Sequence, residues 1–297
     1  MSVVLENLRR DARMRSESDR AMSVAWILIP IAPYILVGLI FLPLLFAFTF
    51  PTPITSFNQT ATGSNTAASS AVFAFVGFFL LVIVLFLVVG ILSAVMIYKL
   101  VRRRNTHFAR QILLYEDLLS MAKELASRKN VDLAIPLNNL DRTIREVRTE
   151  ETEKSAVLWA ILAFVPIIGI FAGWYVNYFL MKDFFKHERR EDGFFMDLNA
   201  ALSASGVNVN LPRRMLPIPD RSFILYLILS WITGRLFDIY WVYVLITDPN
   251  NHFRQQWMIE DTIIAQVSPQ LGGPSIPPPS MSPPPPGSTF TLPPSSP

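Results

Sequence analysis

Residues 21–50 read AMSVAWILIPIAPYILVGLIFLPLLFAFTF and residues 71–98 read AVFAFVGFFLLVIVLFLVVGILSAVMIY; from Ala21 through Tyr98 there is no Lys, Arg, Asp or Glu. One crossing of a bilayer core takes ~20 apolar residues, so a charge-free stretch of this length crosses more than once. Between the two runs, Pro51–Ser70 is rich in Ser, Thr and Ala. Its Asn58-Gln59-Thr60 fits a glycosylation acceptor, a triplet common by chance. Arg102-Arg103-Arg104 follows the second run as a stop-transfer signal. Excess Lys/Arg marks the cytoplasmic side. The expectation is a helix pair (21–100) in the plasma membrane, with the loop 51–70 outside and the chain ends in the cytoplasm.

Composition agrees. Hydrophobic residues make up 52% and charged ones 16% of 297 residues, whereas soluble domains hold about a quarter charged. The absence of cysteine removes disulfides, thiol nucleophiles and Cys-based metal sites. A net charge of +3 is too small to point to nucleic acid and fits attraction to anionic lipid. The N-terminus, 1–20, mixes Arg with Glu6, Asp11, Glu17 and Asp19 ahead of a long apolar run. A cleavable signal has a short basic start and a short core, so Ala21–Phe50 reads as a retained signal anchor.

Two further apolar segments are Ser155–Met181 and Ser222–Ile246. If each crossed once, Lys182–Arg221 would lie outside despite its seven Lys/Arg. Each segment carries helix breakers, Pro166 with Gly169 in one and Gly234 in the other. Halves of about eleven residues reach ~16 Å, half the core thickness. The fold class expected is an all-α integral membrane protein of two full transmembrane helices plus two helical hairpins, four single spans being the alternative. The remaining divisions are a cytoplasmic helical insertion (101–154), the membrane repeat units 155–190 and 222–254, and a cytoplasmic linker with a short amphipathic helix (191–221). A tail (255–297) is expected to be disordered from about residue 268, since Ser268–Pro297 holds twelve of the 23 prolines and no charge. In the insertion, Phe108, Ile112, Tyr115, Leu119 and Ala122 form one helical face and Leu137, Leu140, Ile144 and Val147 another, with Asn130 and Pro136 between them. That pattern predicts a helical hairpin or short coiled-coil seam. Residues 105–154 are thus the expected contact to protein partners or to a second copy.

The last two units are an internal repeat. A shift of 65 residues places Gly169, Tyr175, Tyr178, Leu180, Asp183, His187 and Arg189 on Gly234, Tyr240, Tyr243, Leu245, Asp248, His252 and Arg254. Tyr98, Leu100 and His107 echo the same ending, and Val24-x-Trp26-x6-Pro33 echoes Val157-x-Trp159-x6-Pro166. Three hairpin units, the first stretched into two spans, is the economical reading.

Ile232-Thr233-Gly234-Arg235-Leu236-Phe237-Asp238-Ile239-Tyr240-Trp241-Val242-Tyr243, continuing to Asp248 and His252, resembles a group of prokaryotic integral membrane proteins. They share a domain of unknown function with an Ile-Thr-x-Gly-x-Tyr…Tyr-Trp-x-Tyr signature. The resemblance is best over 222–254 and looser over 155–190; it leaves the insertion and tail uncovered. Where that family tends to have glycines this chain has Arg235 and Asp238, and its glycine comes one place early. The resemblance implies a membrane fold and no mechanism.

Arg235 and Asp238 are the only charged pair inside an apolar segment, where ionisable residues pair or face a cavity. His107, His187 and His252 occupy the repeat-equivalent place just past each segment. Three imidazoles gathered by a pseudo-symmetric bundle could hold zinc or copper, but no local metal motif is present and the expected role is interfacial anchoring. No metal, other cofactor or catalytic residue is expected, and no phosphate loop, HExxH or GxSxG motif occurs. The aromatic pairs Trp174-Tyr175 and Tyr240-Trp241 read as hairpin packing or a membrane belt. The function expected is an accessory or scaffolding membrane protein rather than an enzyme. The alternative is a small channel or transporter subunit using Arg235 and Asp238.

Overall fold

A computed structural model of the chain describes residues 2–49, 64–165 and 167–274, and among these every regular element is helical. Pro166, most of the loop 51–70 and the tail beyond Pro274 lie outside the described residues. The helices are α1 (Val3–Ser18), α2 (Leu28–Thr49), α3 (Ser64–Lys129), α4 (Ala134–Glu150), α5 (Ala156–Phe164), α6 (Ile168–Ala204), α7 (Phe223–Ile232) and α8 (Phe237–Val267). Two helical stretches, Val24–Leu42 and the one beginning at Val76, are long and apolar enough to cross a membrane. Their apolar side chains face outward; Leu39, Phe41, Leu80 and Ile83 are each more than half exposed.

Helix α3 has 66 residues, about 100 Å at 1.5 Å per residue, and changes character along its length. Its first half is apolar on all sides. Its second half buries Phe108, Tyr115, Leu118, Met121 and Leu125. The insertion is therefore not a separate hairpin: its first helix continues α3, and only α4 folds back. Asn130 ends α3 in a left-handed conformation (φ 51°), with the Val131 N–H donating to the Ala126 carbonyl at 3.1 Å, a Schellman closure. Pro136 falls in the first turn of α4, where its missing N–H has no helical partner to lose. Leu140, Ile144 and Val147 are buried, as their spacing required. Helix α1, which the sequence reading left as a terminus, packs Leu5 and Leu8 into the same core.

The breakers act as turns. Ile167 has φ 66°, and a Cβ on Gly169 would lie 2.3 Å from the Ala163 carbonyl oxygen, so α5 packs onto the start of α6 only across a glycine. Between α7 and α8, Gly234 and Arg235 both have positive φ (58° and 72°), and the Arg235 N–H closes the turn on the Ser230 carbonyl at 2.6 Å. Each short helix lies along the long one after it, with Trp159 5.0 Å from Tyr175 and Phe223 5.7 Å from Trp241.

Residues 191–204 are the continuation of α6 rather than a linker helix. The connection that follows buries Val207, Val209 and Ile218 along the bundle. Order also extends past residue 268: Ser268–Leu271 is a 3-10 turn with Leu271 buried, its carbonyl accepting from the Ser2 N–H at 3.3 Å.

Helices α3, α6 and α8 pass two apolar levels in the same order along the chain. Leu100, Leu180 and Leu245 meet in one apolar cluster, and Tyr115, Phe195 and Ile259 in a second. Between the two levels lies a layer walled by Phe108, Phe184 and Phe253.

A candidate metal centre

The layer between the apolar levels holds His107 of α3, His187 of α6 and His252 of α8, with 0%, 1% and 0% of their surface exposed. They are not interfacial anchors. The long helices carry them beyond the apolar stretches into the interior, where the three rings pack edge to face at 5.1, 5.2 and 5.4 Å. The Nε2 atom of His107 lies 3.2 Å from that of His187 and 3.3 Å from that of His252. One ligand atom from each of the three histidines falls within 4.8 Å of the others.

Each Nδ1 faces a carboxylate: His107 meets Asp19 Oδ1 at 2.9 Å, His187 meets Glu151 Oε2 at 2.8 Å, and His252 meets Glu188 Oε2 at 2.9 Å. The carboxylates are themselves held. Asp19 Oδ2 accepts from Arg110 and from the Trp257 indole, Glu151 Oε1 from Arg190, and Glu188 Oε1 from the Ile218 N–H. Sequence explains two of these contacts. Asp19 and Glu151 each stand four residues ahead of Ser23 and Ser155, whose hydroxyls cap the helical turns that open the first two units. The equivalent place before the capping Ser222 is Ile218, so the third imidazole takes its carboxylate from α6.

Protonation follows from this arrangement. Burial pushes His107 down to about 4 against the pull of Asp19, and burial, aided by Arg214, holds His252 well below its ordinary value. His107 and His252 are therefore neutral at pH 7. Burial works to raise Asp19, but His107 and Arg110 hold it below the usual carboxylate range, and His187 and Arg190 do the same for Glu151. A carboxylate can only accept, so Asp19 and Glu151 place the ring proton of His107 and His187 on Nδ1 and leave their Nε2 lone pairs bare, whereas His252 Nδ1 faces both Glu188, which burial raises, and an Arg214 N–H at 3.4 Å. The bare Nε2 atoms of His107 and His187 then face each other at 3.2 Å inside a ring of phenylalanines. A cation there would relieve that repulsion. Tetrahedral coordination with bonds of 2.0–2.1 Å sets neighbouring nitrogens about 3.3–3.4 Å apart, which is the spacing of His107 to its two partners.

One helical turn further, each histidine is followed by an amide or a carboxylate: Gln111, Glu191 and Gln256, all buried. Gln111 Nε2 donates to Glu191 Oε1 at 2.9 Å, and Gln256 Nε2 donates to Gln111 Oε1. Glu191 Oε2, paired with Arg214, lies 3.6 Å from His252 Nε2. Burial raises the Glu191 carboxyl to about 7 even with Arg214 lowering it. Around the imidazoles the buried carboxylates Asp19, Glu151, Glu188, Glu191 and Glu260 face three guanidiniums, Arg110, Arg190 and Arg214. Arg15 adds a fourth cation, 3.9 Å from Glu260.

Arg235 and Asp238 are elsewhere, at the α7–α8 turn. Arg235 Nε donates to Asp238 Oδ2 at 2.9 Å, Ser230 Oγ donates to Asp238 Oδ1 at 2.5 Å, and the Tyr34 hydroxyl donates to the Gly234 carbonyl at 2.6 Å. The pair is closed on itself and lines neither of the two described cavities. The expectation of no metal rested on the missing local motif; the three histidines come one from each long helix, an arrangement that no local motif records. The Asp/Glu-x3-Ser pattern ahead of two units and the His-x3-Gln/Glu pattern in all three were the signals available. The chain matches no protein-family model, no curated protein and no solved structure.

Proposed function

We propose that the protein is a membrane-anchored metalloprotein, an accessory integral membrane protein whose cytoplasmic bundle is locked by a divalent ion, zinc in the first instance. The observation that carries this reading is the trio of buried imidazoles, with His107 Nε2 3.2 and 3.3 Å from those of His187 and His252 and a carboxylate at each Nδ1. Such carboxylate–histidine pairs orient the ring and raise its basicity toward a metal. Three imidazoles with a carboxylate suit zinc among the available metals. We assign the ion a structural role, because Glu191 and Arg214 close the fourth position and neither described cavity is lined by any of the three histidines. Partners are then proteins that meet the cytoplasmic bundle.

The membrane arrangement belongs to the same proposal. Helices α5 and α7 have 9 and 10 residues, a rise of about 15 Å, half the hydrocarbon core. Ile161, Phe171, Ile224 and Trp231 present exposed apolar surface suited to lipid. Two re-entrant hairpins entering from the cytoplasmic face accommodate the common direction of α3, α6 and α8, whereas successive single spans would alternate it. The paired Arg235 and Asp238 fit a helix-turn lock better than an ion path.

The test is metal content. Full-length protein purified without chelator should carry a single zinc, and cobalt replacing it should give the visible absorption of a tetrahedral ion. His252→Gln and His187→Gln should each lower the metal content sharply. Metal content indifferent to both substitutions, or chelated protein that takes up no zinc, would overturn the reading.

A further inference from the structure

A cavity of about 560 Å³ opens between the end of α1 and the middle of α3, a volume in the range of small-ligand sites. Its walls include Arg20 and Ala21 on one side and Tyr98 and Lys99 on the other. These are the two boundaries of the charge-free stretch, so the cavity sits at the level where hydrocarbon gives way to headgroups. Arg102 and Arg103 also line it, and Glu17 is its one acidic residue.

The charge in this cavity is uncompensated. Among the described residues, Arg20, Lys99, Arg102 and Arg103 form no ion pair, while the remaining wall cation, Arg110, is committed to Asp19 and Glu260. Arg103 is the telling member. It is 4% exposed, and its hydrogen bonds go to two neutral oxygens, Asn250 Oδ1 at 2.8 Å and the Leu245 carbonyl at 2.9 Å. That carbonyl is free because Pro249, four residues on in α8, has no N–H to give it. Arg103 Nε is buried without a partner. Buried charges are ordinarily paired; this one has its hydrogen bonds partly met and faces no carboxylate, only the Phe253 ring 5.7 Å from its guanidinium carbon. Lys99 lies 4.9 Å over the Trp26 ring and Arg102 donates to the Tyr98 hydroxyl at 2.8 Å, which holds both cations at the rim.

We propose that this cavity binds the phosphate of an anionic membrane lipid, with Arg103 behind it and Lys99, Arg102 and Arg20 around it. Guanidinium groups match phosphate oxygens in geometry and charge. A bilayer lipid is the source favoured over a soluble phosphate because the cavity lies at the rim of the apolar helices α2 and α3, along which acyl chains can extend. The inference is independent of the metal centre.

The experiment uses the full chain in detergent, with native mass spectrometry for retained lipid and thermal unfolding for protection. The probes are phosphatidylglycerol, phosphatidylcholine and soluble glycerol phosphate. Phosphatidylglycerol should be retained over phosphatidylcholine by about tenfold, as expected for a few interfacial cations. Lys99→Gln with Arg102→Gln, both exposed, should erase that preference and leave the lipid-free melting temperature unchanged. Equal retention of the two lipids, or a preference that survives the double substitution, would refute the site. Glycerol phosphate protecting as well as the lipid would overturn the membrane source.

Discussion

Glu151→Gln isolates the metal centre from the fold around it. Glu151 caps the end of α4, is 6% exposed, and divides its oxygens between the His187 Nδ1–H at 2.8 Å and Arg190 at 2.6 Å. The amide keeps the shape but has one acceptor, so either His187 or Arg190 is left facing an N–H₂ group. Removing a carboxylate behind a metal-bound imidazole lowers affinity about 10–100-fold, equal to about 1.4–2.7 kcal/mol of metal-dependent stability, since ligand binding to the folded state alone adds directly to stability. Losing the Arg190 contact destabilises the metal-free and metal-loaded forms alike. The quantity to measure is therefore the gain in unfolding free energy between chelated protein and protein at a buffered free zinc concentration. That gain should shrink by the stated amount in Glu151→Gln. Glu150→Gln, which removes a second and half-exposed partner of Arg190, should leave the gain unchanged. If Glu151→Gln weakens both forms equally, the carboxylate is a bundle contact and the coordination argument fails.

Other consequences can be checked in the same preparation. Asp11 is buried with Oδ2 unpartnered, and burial, with Asp117 adding, raises its carboxyl from 3.8 to about 6. The folded state thus holds this proton longer than the unfolded one, its contribution falls as pH rises from about 4 to about 6, and Asp11→Asn should be more stable than wild type near neutrality by ~1–3 kcal/mol, with the gap closing at acid pH; a pH-independent difference in chemical denaturation counts against it. Gly169→Ala drives a methyl into the Ala163 carbonyl and should cost ~1–3 kcal/mol as overpacking does, read as a lower melting temperature in detergent, while the same change at Gly173, where nothing lies within 4 Å, should be tolerated. For topology, single cysteines replacing Arg189 and Arg213, both exposed, should be protected from an impermeant reagent in intact cells and one replacing Thr62 should react; labelling of the first two from outside would restore four single spans.

Much of the helical layout was legible because apolar clustering and period are local properties. The amphipathic faces of 105–122 and 137–147, and the turns at Gly169 and Gly234, follow from residues near one another in the chain. The equivalence of His107, His187 and His252 was legible too, through the 65-residue repeat. What sequence could not give was their surroundings. Asp19 and His107 are 88 residues apart, and a histidine beside Phe and Arg looks the same whether its helix ends at a membrane surface or runs on. Here the helices run on: Phe194, Leu198 and Leu202 on α6, and Ile259 and Ile263 on α8, are buried. That apolar pattern past each histidine is the physical reason the interfacial reading failed.

The three units are not equal, and the difference shows how the centre is assembled. In the first two, the chain entering a unit brings a carboxylate to the histidine that the same unit delivers at its far end, so each closes a loop through the centre. The third enters with Ile218, which packs in the phenylalanine layer and gives only its backbone N–H to Glu188 Oε1 at 2.6 Å. Glu188 stands next to His187 in the chain and turns to His252. The third imidazole thus depends on α6 for its orientation, and α6 also supplies His187 and the nearest fourth ligand, Glu191. Loss of α6 packing would disturb four of the groups in and around the imidazole cluster, whereas displacement of Asp19 with the N-terminal helix would disturb one. On this geometry α6 is the spine of the centre, with α3 and α8 brought to it by their own hairpin units.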